Sequence, residues 1–158
     1  PQNAYDMIKR LTLFLIIHFA ALGMGSALMG TGPMGNWYQD LNKAPWTPPG
    51  WVFGAAWTLI MICLSIAMAQ MFGRTSRKNH LMSVWGVHLL LNVLWNPLFF
   101  NGHLLGIALV EILVLLALVI YLGLLMKKEM ARWSLLILPY ILWLSVAATL
   151  NGYAFQFN

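Results

Sequence analysis

The segment WVFGAAWTLIMICLSIAMAQMF, Trp51–Phe72, decides the fold of this chain. It contains no Asp, Glu, Lys or Arg, and it is long enough to cross the hydrocarbon core of a bilayer, which needs about 20 mostly apolar residues. Lipid offers no hydrogen-bond partners to backbone amides, and barrel strands would be about half as long, so a segment of this length must be helical. It therefore predicts a membrane-spanning helix.

Four more segments share this apolar character, and the whole chain is 61% hydrophobic and 8% charged, whereas about a quarter of residues are charged in soluble domains. Short connectors such as Asn101-Gly102-His103 force successive helices to run antiparallel. We expect an all-α polytopic membrane protein, a five-transmembrane-helix bundle that forms one domain over residues 1–158. The other four predicted spans are Leu11–Met29, Leu81–Phe100, Leu104–Met126 and Trp133–Phe155. A cleaved signal peptide is the alternative interpretation of the first of them.

The net charge of +5 is unevenly distributed. With five spans, eight of the nine basic residues fall on one side of the membrane and only Lys43 falls on the other. The positive-inside rule then predicts a cytoplasmic N-terminus and an external first loop, if the membrane is an inner membrane. The same distribution favours a lipid bilayer, and not nucleic acid, as the partner of the basic residues. They are Lys9, Arg10, Arg74, Arg77, Lys78, Lys127, Lys128 and Arg132.

The first loop contains the dense sequence WYQDLNKAPWTPPGW, Trp37–Trp51. Proline fixes φ and an indole has few side-chain torsions, so this loop presents rigid aromatic surface at a low entropic cost. We interpret it as a lid over a pocket for something flat. Thr47 is a candidate N-cap with Pro48 at the first helical position, which predicts that the second helix begins at the lid.

Polar side chains recur at four-residue intervals on the third predicted span, at His88, Asn92 and Asn96. This spacing places them in one stripe along a helix, flanked by tryptophans. Such a stripe faces either neighbouring helices, which it cross-links, or a ligand pocket. Pro97 removes a backbone hydrogen bond and is expected to kink the helix near its end.

Glu111 is the only acidic residue within a predicted span, and an intramembrane carboxyl group is a functional candidate. The alternative is a protonated or hydrogen-bonded structural role, for example with His88. A haem interpretation would pair His18 with His88 as axial ligands. Cys63 is the only cysteine, so no cysteine-based metal cluster is expected, and we predict no metal site. No arrangement typical of a conventional hydrolase or nucleotide enzyme is found.

Taken together, these motifs resemble the TspO/MBR family, which includes the mitochondrial translocator protein and bacterial tryptophan-rich sensory proteins. The resemblance extends in order over nearly the whole chain. It is carried by Trp37-Tyr38, Lys43-Ala44-Pro45-Trp46-Thr47-Pro48-Pro49, Leu91-Asn92-x-x-Trp95-Asn96-Pro97-Leu98-Phe99-Phe100, Pro139-Tyr140-x-x-Trp143 and Leu150-Asn151.

The resemblance implies a receptor in a bacterial membrane, often dimeric, whose first loop closes over a site for tetrapyrroles such as protoporphyrin IX and haem. Isoquinoline carboxamides and benzodiazepine-type compounds are implied as further ligands, and no cofactor is obligatory. By position, the lid and entrance residues are Tyr38, Trp46 and Trp51, and the cavity residues are Phe53, Trp57, Asn92, Trp95, Trp143, Ala147 and Leu150.

Three functions remain open at this point. The first is tetrapyrrole binding for sensing, transport or regulation. The second is light- and oxygen-dependent degradation of protoporphyrin IX, for which the resemblance implies Trp57 and Trp143 as the reactive residues. The third is small-molecule transport, which Glu111 and the proline kinks motivate.

Overall fold

The structure is a computed structural model that describes residues 3–158. Pro1 and Gln2 belong to the predicted domain but lie outside the described residues. Within those residues the chain is helical and contains no strand. The α-helices are α1 (Ala4–Leu28), α2 (Asn36–Asp40), α3 (Gly50–Arg74), α4 (Lys78–Asn96), α5 (Leu105–Met130) and α6 (Leu138–Phe157).

Four segments of the described residues are long and apolar enough to cross a membrane, and they extend over Ala4–Met34, Gly50–Arg74, Lys78–Asn101 and Leu105–Phe157. The last segment contains 53 residues and includes both α5 and α6. A 3₁₀ segment, Ala131–Ile137, separates these two helices. It begins at Ala131, whose φ of 46° lies in the left-handed region, and α5 and α6 pack against each other.

Prolines account for the differences between predicted and observed starts of α3 and α6. The prediction that Thr47 caps the second membrane helix is wrong, because α3 begins at Gly50 with Pro49 in the N-cap position. A residue that precedes proline is disfavoured in the helical region, so Pro48 cannot open the helix. The last helix likewise begins at Leu138 and not at Trp133, with Pro139 in its first turn, where a missing amide is tolerated.

The end of α4 follows the prediction for Pro97 more closely. The α-helix stops at Asn96, and Pro97–Asn101 forms a π-helical turn. The amide of Gly102 donates to the carbonyl oxygen of Pro97 at 2.8 Å. Turns of this type occur where the regular ladder is interrupted, as it must be at a proline.

Helix α1 packs against α3 and α4, and the bundle continues from α4 to α5 and from α5 to α6. Small residues permit close approach within this one chain. A Cβ atom added to Gly25 of α1 would lie 2.7 Å from Nδ2 of Asn96, and one added to Gly106 of α5 would lie 2.9 Å from the ring of Phe155. These two glycines therefore serve packing inside the subunit.

Candidate functional site

The first loop is held together by one cationic side chain. Nζ of Lys43 donates to the carbonyl oxygens of Tyr38 and Gln39, each at 2.8 Å, and to that of Leu41 at 3.3 Å. These carbonyls lie at the end of α2, where a cation also interacts favourably with the helix dipole. The loop's only cation is thus used to hold the loop together.

The loop is also joined to α6. Indole Nε1 of Trp46 donates to Oγ1 of Thr149 at 3.1 Å, and the Trp46 ring meets the Tyr153 ring edge-to-face at 5.5 Å between centroids. The amide of Asn42 donates to Oδ1 of Asn158 at 2.9 Å. The loop therefore lies over the end of the bundle at which α6 ends.

Aromatic rings fill the space between the loop and the end of α4. The Tyr38 ring lies 5.5 Å from the ring of Phe100 and 6.3 Å from that of Phe99. Phe99 in turn stacks on Trp95 at 4.7 Å with an interplanar angle of 20°. Tyr38 lies outside the candidate membrane-spanning segments, and burial raises the pKa of its hydroxyl group.

Beneath the loop, two ring pairs join α3 to α6. Phe53 meets Trp143 edge-to-face at 5.2 Å, and one turn further along α3, Trp57 meets Tyr140 in the same manner at 5.8 Å. We call these four residues the aromatic ladder. Edge-to-face pairs of this kind contribute roughly 0.5–1.5 kcal/mol each beyond their buried area. The side chains predicted to line a cavity therefore pack against one another here.

Hydrogen bonds from α4 reach the same region. Nδ2 of Asn92 donates to the Tyr140 hydroxyl oxygen at 2.8 Å, and Nε1 of Trp95 donates to Oδ1 of Asn151 at 3.2 Å. Nδ2 of Asn151 continues to the carbonyl oxygen of Leu105 at 2.9 Å. Two polar links therefore tie α4 to α6, and the second extends to α5.

Next to this region lie buried polar atoms without partners. His88 has no exposed surface, and its ring lies 5.5 Å from the Tyr140 ring. Its Nδ1 hydrogen-bonds to the carbonyl oxygen of Trp85 at 2.8 Å, and its Nε2 is unpaired. Glu111 is 9% exposed and both of its carboxyl oxygens are unpaired. The alternative in which Glu111 hydrogen-bonds to His88 is therefore not found among the described residues.

The other buried histidine, His18, is fully bonded. Ser65 Oγ donates to the carbonyl oxygen of Met61 at 2.6 Å, so His18 Nδ1 must donate to Ser65 Oγ at 2.7 Å. His18 Nε2 is then the acceptor for Trp85 Nε1 at 2.8 Å. Since both nitrogens are engaged, His18 offers no lone pair to a haem iron in this arrangement, whereas His88 Nε2 does.

The remaining predicted site residues differ in their burial. Ala147 is half-buried and packs against the hydrophobic core, and Leu150 is half-buried on the same helix. Trp51, in the first turn of α3, is 75% exposed. Among the described residues it has no ring or hydrogen-bond partner, so the structure does not bring it to the aromatic ladder.

Residues 14–156 match the sequence profile of the TspO/MBR family. The chain belongs to this family. It is 33% identical to Protein CrtK of Rhodobacter capsulatus over 153 residues, which cover 94% of each chain. It is 31% identical to Tryptophan-rich protein TspO of Chlorobaculum tepidum, over 94% of this chain and 96% of that protein. It is also 27% identical to the Translocator protein of Ovis aries, over 77% of this chain and 75% of that protein.

The site predicted from the sequence of this TspO/MBR chain did not include Tyr140 and Asn151. Tyr140 is 1% exposed and touches Trp57, His88 and Asn92, which makes it the junction of the ladder and the polar stripe. The available signal was spacing, because Tyr140 precedes Trp143 by three residues and so shares its helix face.

Proposed function

We propose that this chain is a membrane receptor that binds flat hydrophobic ligands of the tetrapyrrole class between the first loop and helices α3, α4 and α6. The aromatic ladder carries the proposal. Two layers of rings, formed by Phe53–Trp143 and Trp57–Tyr140, are held between two helices under a fastened loop. A planar macrocycle would exchange these intramolecular ring contacts for contacts with its own faces.

Polar groups at both ends of the ladder suit the polar parts of such a ligand. Near the loop, the hydroxyl group of Thr149, which accepts the indole N–H of Trp46, would lie where propionate groups emerge toward water. At the deeper end, Tyr140 is bonded to Asn92, and His88 Nε2 is an unpaired acceptor. A buried acceptor without a partner carries a desolvation cost, which a hydrogen-bond donor on a ligand would relieve.

The membrane arrangement that accompanies this proposal has five crossings in one domain. Helices α5 and α6 contain 26 and 20 residues, and at about 1.5 Å per residue each is long enough to cross the hydrocarbon core separately. The basic residues favour a cytoplasmic N-terminus and an external first loop in a bacterial inner membrane. In a Cys63→Ala background, Asn36→Cys should then react with an impermeant maleimide from outside, and Ser76→Cys should not.

The binding proposal is tested by titrating the protein with protoporphyrin IX in the dark and following tryptophan fluorescence. Saturable quenching is expected. The double variant Trp57→Phe, Trp143→Phe should bind about tenfold more weakly, because each indole supplies up to about 1.5 kcal/mol of ring contact. Trp133→Phe is the matched control, because Trp133 lies in the 3₁₀ segment, away from the ladder. Equal affinities for all three proteins would contradict the proposal.

A second candidate function is photo-oxidative degradation of the bound porphyrin, with oxygen as the oxidant. The observation that favours it is the pairing of Trp57 and Trp143 with other rings in the two layers of the ladder, because both indoles would then contact a ligand bound between these layers. Under illumination, porphyrin absorbance should decay faster with the protein than with empty detergent, and removal of oxygen should abolish the difference. If the double Phe variant at saturating porphyrin bleaches the porphyrin as fast as the wild-type protein does, Trp57 and Trp143 do not carry this activity.

Two further properties follow from the same proposal. Isoquinoline carboxamides and benzodiazepine-type compounds are flat and apolar, so they should compete with protoporphyrin IX for the ladder. Haem should compete as well. A homodimer is compatible with the exposed apolar faces of the helices, and cross-linking in native membranes measures it directly.

A further inference from the structure

A surface groove lies at the end of the bundle opposite the first loop, between the start of α4 and the end of α5. Its volume is about 430 Å³, and it is lined by Arg77, Tyr121, Leu124, Leu125, Lys127 and Lys128. His80 of α4 and the Tyr121 hydroxyl of α5 hydrogen-bond at 3.0 Å, which holds the two helices together here.

The charge in this groove is of one sign. Arg77, Lys127 and Lys128 line it, and no acidic residue does. Among residues 3–158, none of these three side chains has an ion-pair or hydrogen-bond partner. By contrast, Arg74 donates to Gln70 and Lys43 to three loop carbonyls. Three unpaired cations around one groove repel one another, and an anion placed between them would remove that repulsion.

The walls of the groove are apolar on the side that continues along α5. Leu124 is 54% exposed and belongs to a segment apolar enough to lie within a membrane. The long stems of lysine and arginine lie along such surface while their charged ends reach the membrane interface. The groove therefore combines an interfacial cationic end with a hydrocarbon-facing side.

We propose that this groove is a specific site for an anionic phospholipid of the surrounding bilayer. Arg77, Lys127 and Lys128 bind the phosphodiester and its headgroup, and the upper part of one acyl chain packs on Leu124 and Leu125. Basic pockets between helix ends recognise anionic headgroups by this combination of charge and apolar contact. The site lies at the opposite end of the bundle from the aromatic ladder, so its occupancy does not depend on the proposed receptor function.

The test measures lipid binding to the full chain in a neutral detergent. The protein is titrated with phosphatidylglycerol, or with phosphatidylcholine of the same chains, and bound lipid is counted by native mass spectrometry. Saturable binding of phosphatidylglycerol, weakened by salt, is expected to exceed that of phosphatidylcholine. Lys127→Gln with Lys128→Gln should weaken it about 25-fold, because each cation near an anionic surface contributes a factor of about five.

The matched control is Lys9→Gln with Arg74→Gln, which removes the same charge outside the groove and should leave the affinity unchanged. A second pair tests the shape of the site, since Leu124→Trp fills the groove without changing its charge, whereas Leu113→Trp alters an exposed position elsewhere on α5. Only Leu124→Trp should lower phosphatidylglycerol binding. An equal loss of phosphatidylglycerol binding in Leu113→Trp would contradict a defined groove.

Two competitors separate a lipid from a free anion. Inorganic phosphate and glycerophosphoglycerol carry the anionic group without acyl chains, and at equal concentration each should displace little phosphatidylglycerol. Displacement as effective as that by the lipid itself would show a site for soluble phosphates and overturn the proposal. Equal binding of phosphatidylglycerol and phosphatidylcholine, or equal losses in the two double-glutamine variants, would overturn it as well.

Discussion

His18 and His88 both lie in the core with no exposed surface, yet their surroundings differ. His18, between α1, α3 and α4, has a partner on each ring nitrogen. His88, facing Tyr140 of α6, uses only Nδ1, and the nearby carboxyl group of Glu111 is unpaired on both oxygens. One buried region is completely bonded, and the other contains three unpaired atoms.

This difference separates a scaffold from a candidate site. Unpaired buried polar atoms cost free energy, and they are rare unless a function or a bound group accounts for them. The fully bonded His18 region stabilises the first three long helices against each other. The His88–Glu111 region, next to the aromatic ladder, keeps buried polar atoms that form no hydrogen bond and so do not stabilise the fold.

The largest expected effect is in the scaffold. His18→Ala should lower the free energy of unfolding by about 3–4 kcal/mol, because it leaves a cavity and removes the only acceptor of the buried Trp85 N–H group. Ser65→Ala, which leaves His18 Nδ1 without its acceptor, should cost about 1–3 kcal/mol. Denaturant titration in detergent measures both.

His80→Ala is the control for these variants, because His80 is exposed and its single side-chain bond is with Tyr121. Surface substitutions of this kind change stability by about 0.5 kcal/mol or less. A loss for His80→Ala equal to that for His18→Ala would remove the distinction between a bonded core histidine and an exposed one.

In the region with unpaired atoms the sign should reverse. Glu111→Leu should leave stability unchanged or raise it by about 1–2 kcal/mol, because a carboxyl group without partners is replaced by a side chain that suits an apolar core. Glu111→Gln, which keeps a polar group in place, should gain less. A loss above about 2 kcal/mol for Glu111→Leu would mean that the carboxyl group has a structural partner.

Sequence patterns predicted the polar stripe but not its partners. The four-residue spacing placed His88 and Asn92 on one helix face, and both are buried. A helical period says which residues share a face, but it does not say which helix lies opposite. Tyr140, which meets both residues, is contributed by a helix about fifty positions further along the chain, so its role became visible only in the packed bundle.

Hydropathy predicted apolar helices, but it did not predict all of their ends: α1 begins at Ala4 and not at Leu11, and α5 continues beyond Met126 to Met130. Trp133 was placed in the last span and lies in the 3₁₀ segment instead, because Pro139 fits only near the start of α6. Three residues of the aromatic ladder, Phe53, Trp57 and Trp143, were predicted as site residues by their resemblance to family positions. The ring pairings themselves depend on the register between α3 and α6, and composition alone does not fix that register.

A smaller effect should link the stripe to the ladder. In a double-mutant cycle with Asn92→Leu and Tyr140→Phe, the coupling in unfolding free energy should be about 1 kcal/mol, as expected for a buried neutral hydrogen bond. The control cycle pairs Asn92→Leu with Tyr121→Phe, because Tyr121 is exposed on α5 and hydrogen-bonds to His80, not to Asn92. Coupling of similar size in both cycles would show that the Asn92–Tyr140 bond is not the cause.

The smallest expected effect is at the lid and depends on pH. Because burial raises the pKa of Tyr38 above its ordinary value of 10.0, the folded loop holds this proton more tightly than the unfolded chain does. Stability should therefore be independent of Tyr38 below about pH 10 and should fall as the pH rises further, since the unfolded chain ionises first. Tyr38→Phe should remove this part of the alkaline loss, whereas Tyr5→Phe, at an exposed tyrosine of α1, should retain it. Unfolding midpoints between pH 8 and 11 measure the difference, and parallel curves for the two variants would show that the loop does not bury Tyr38 in solution.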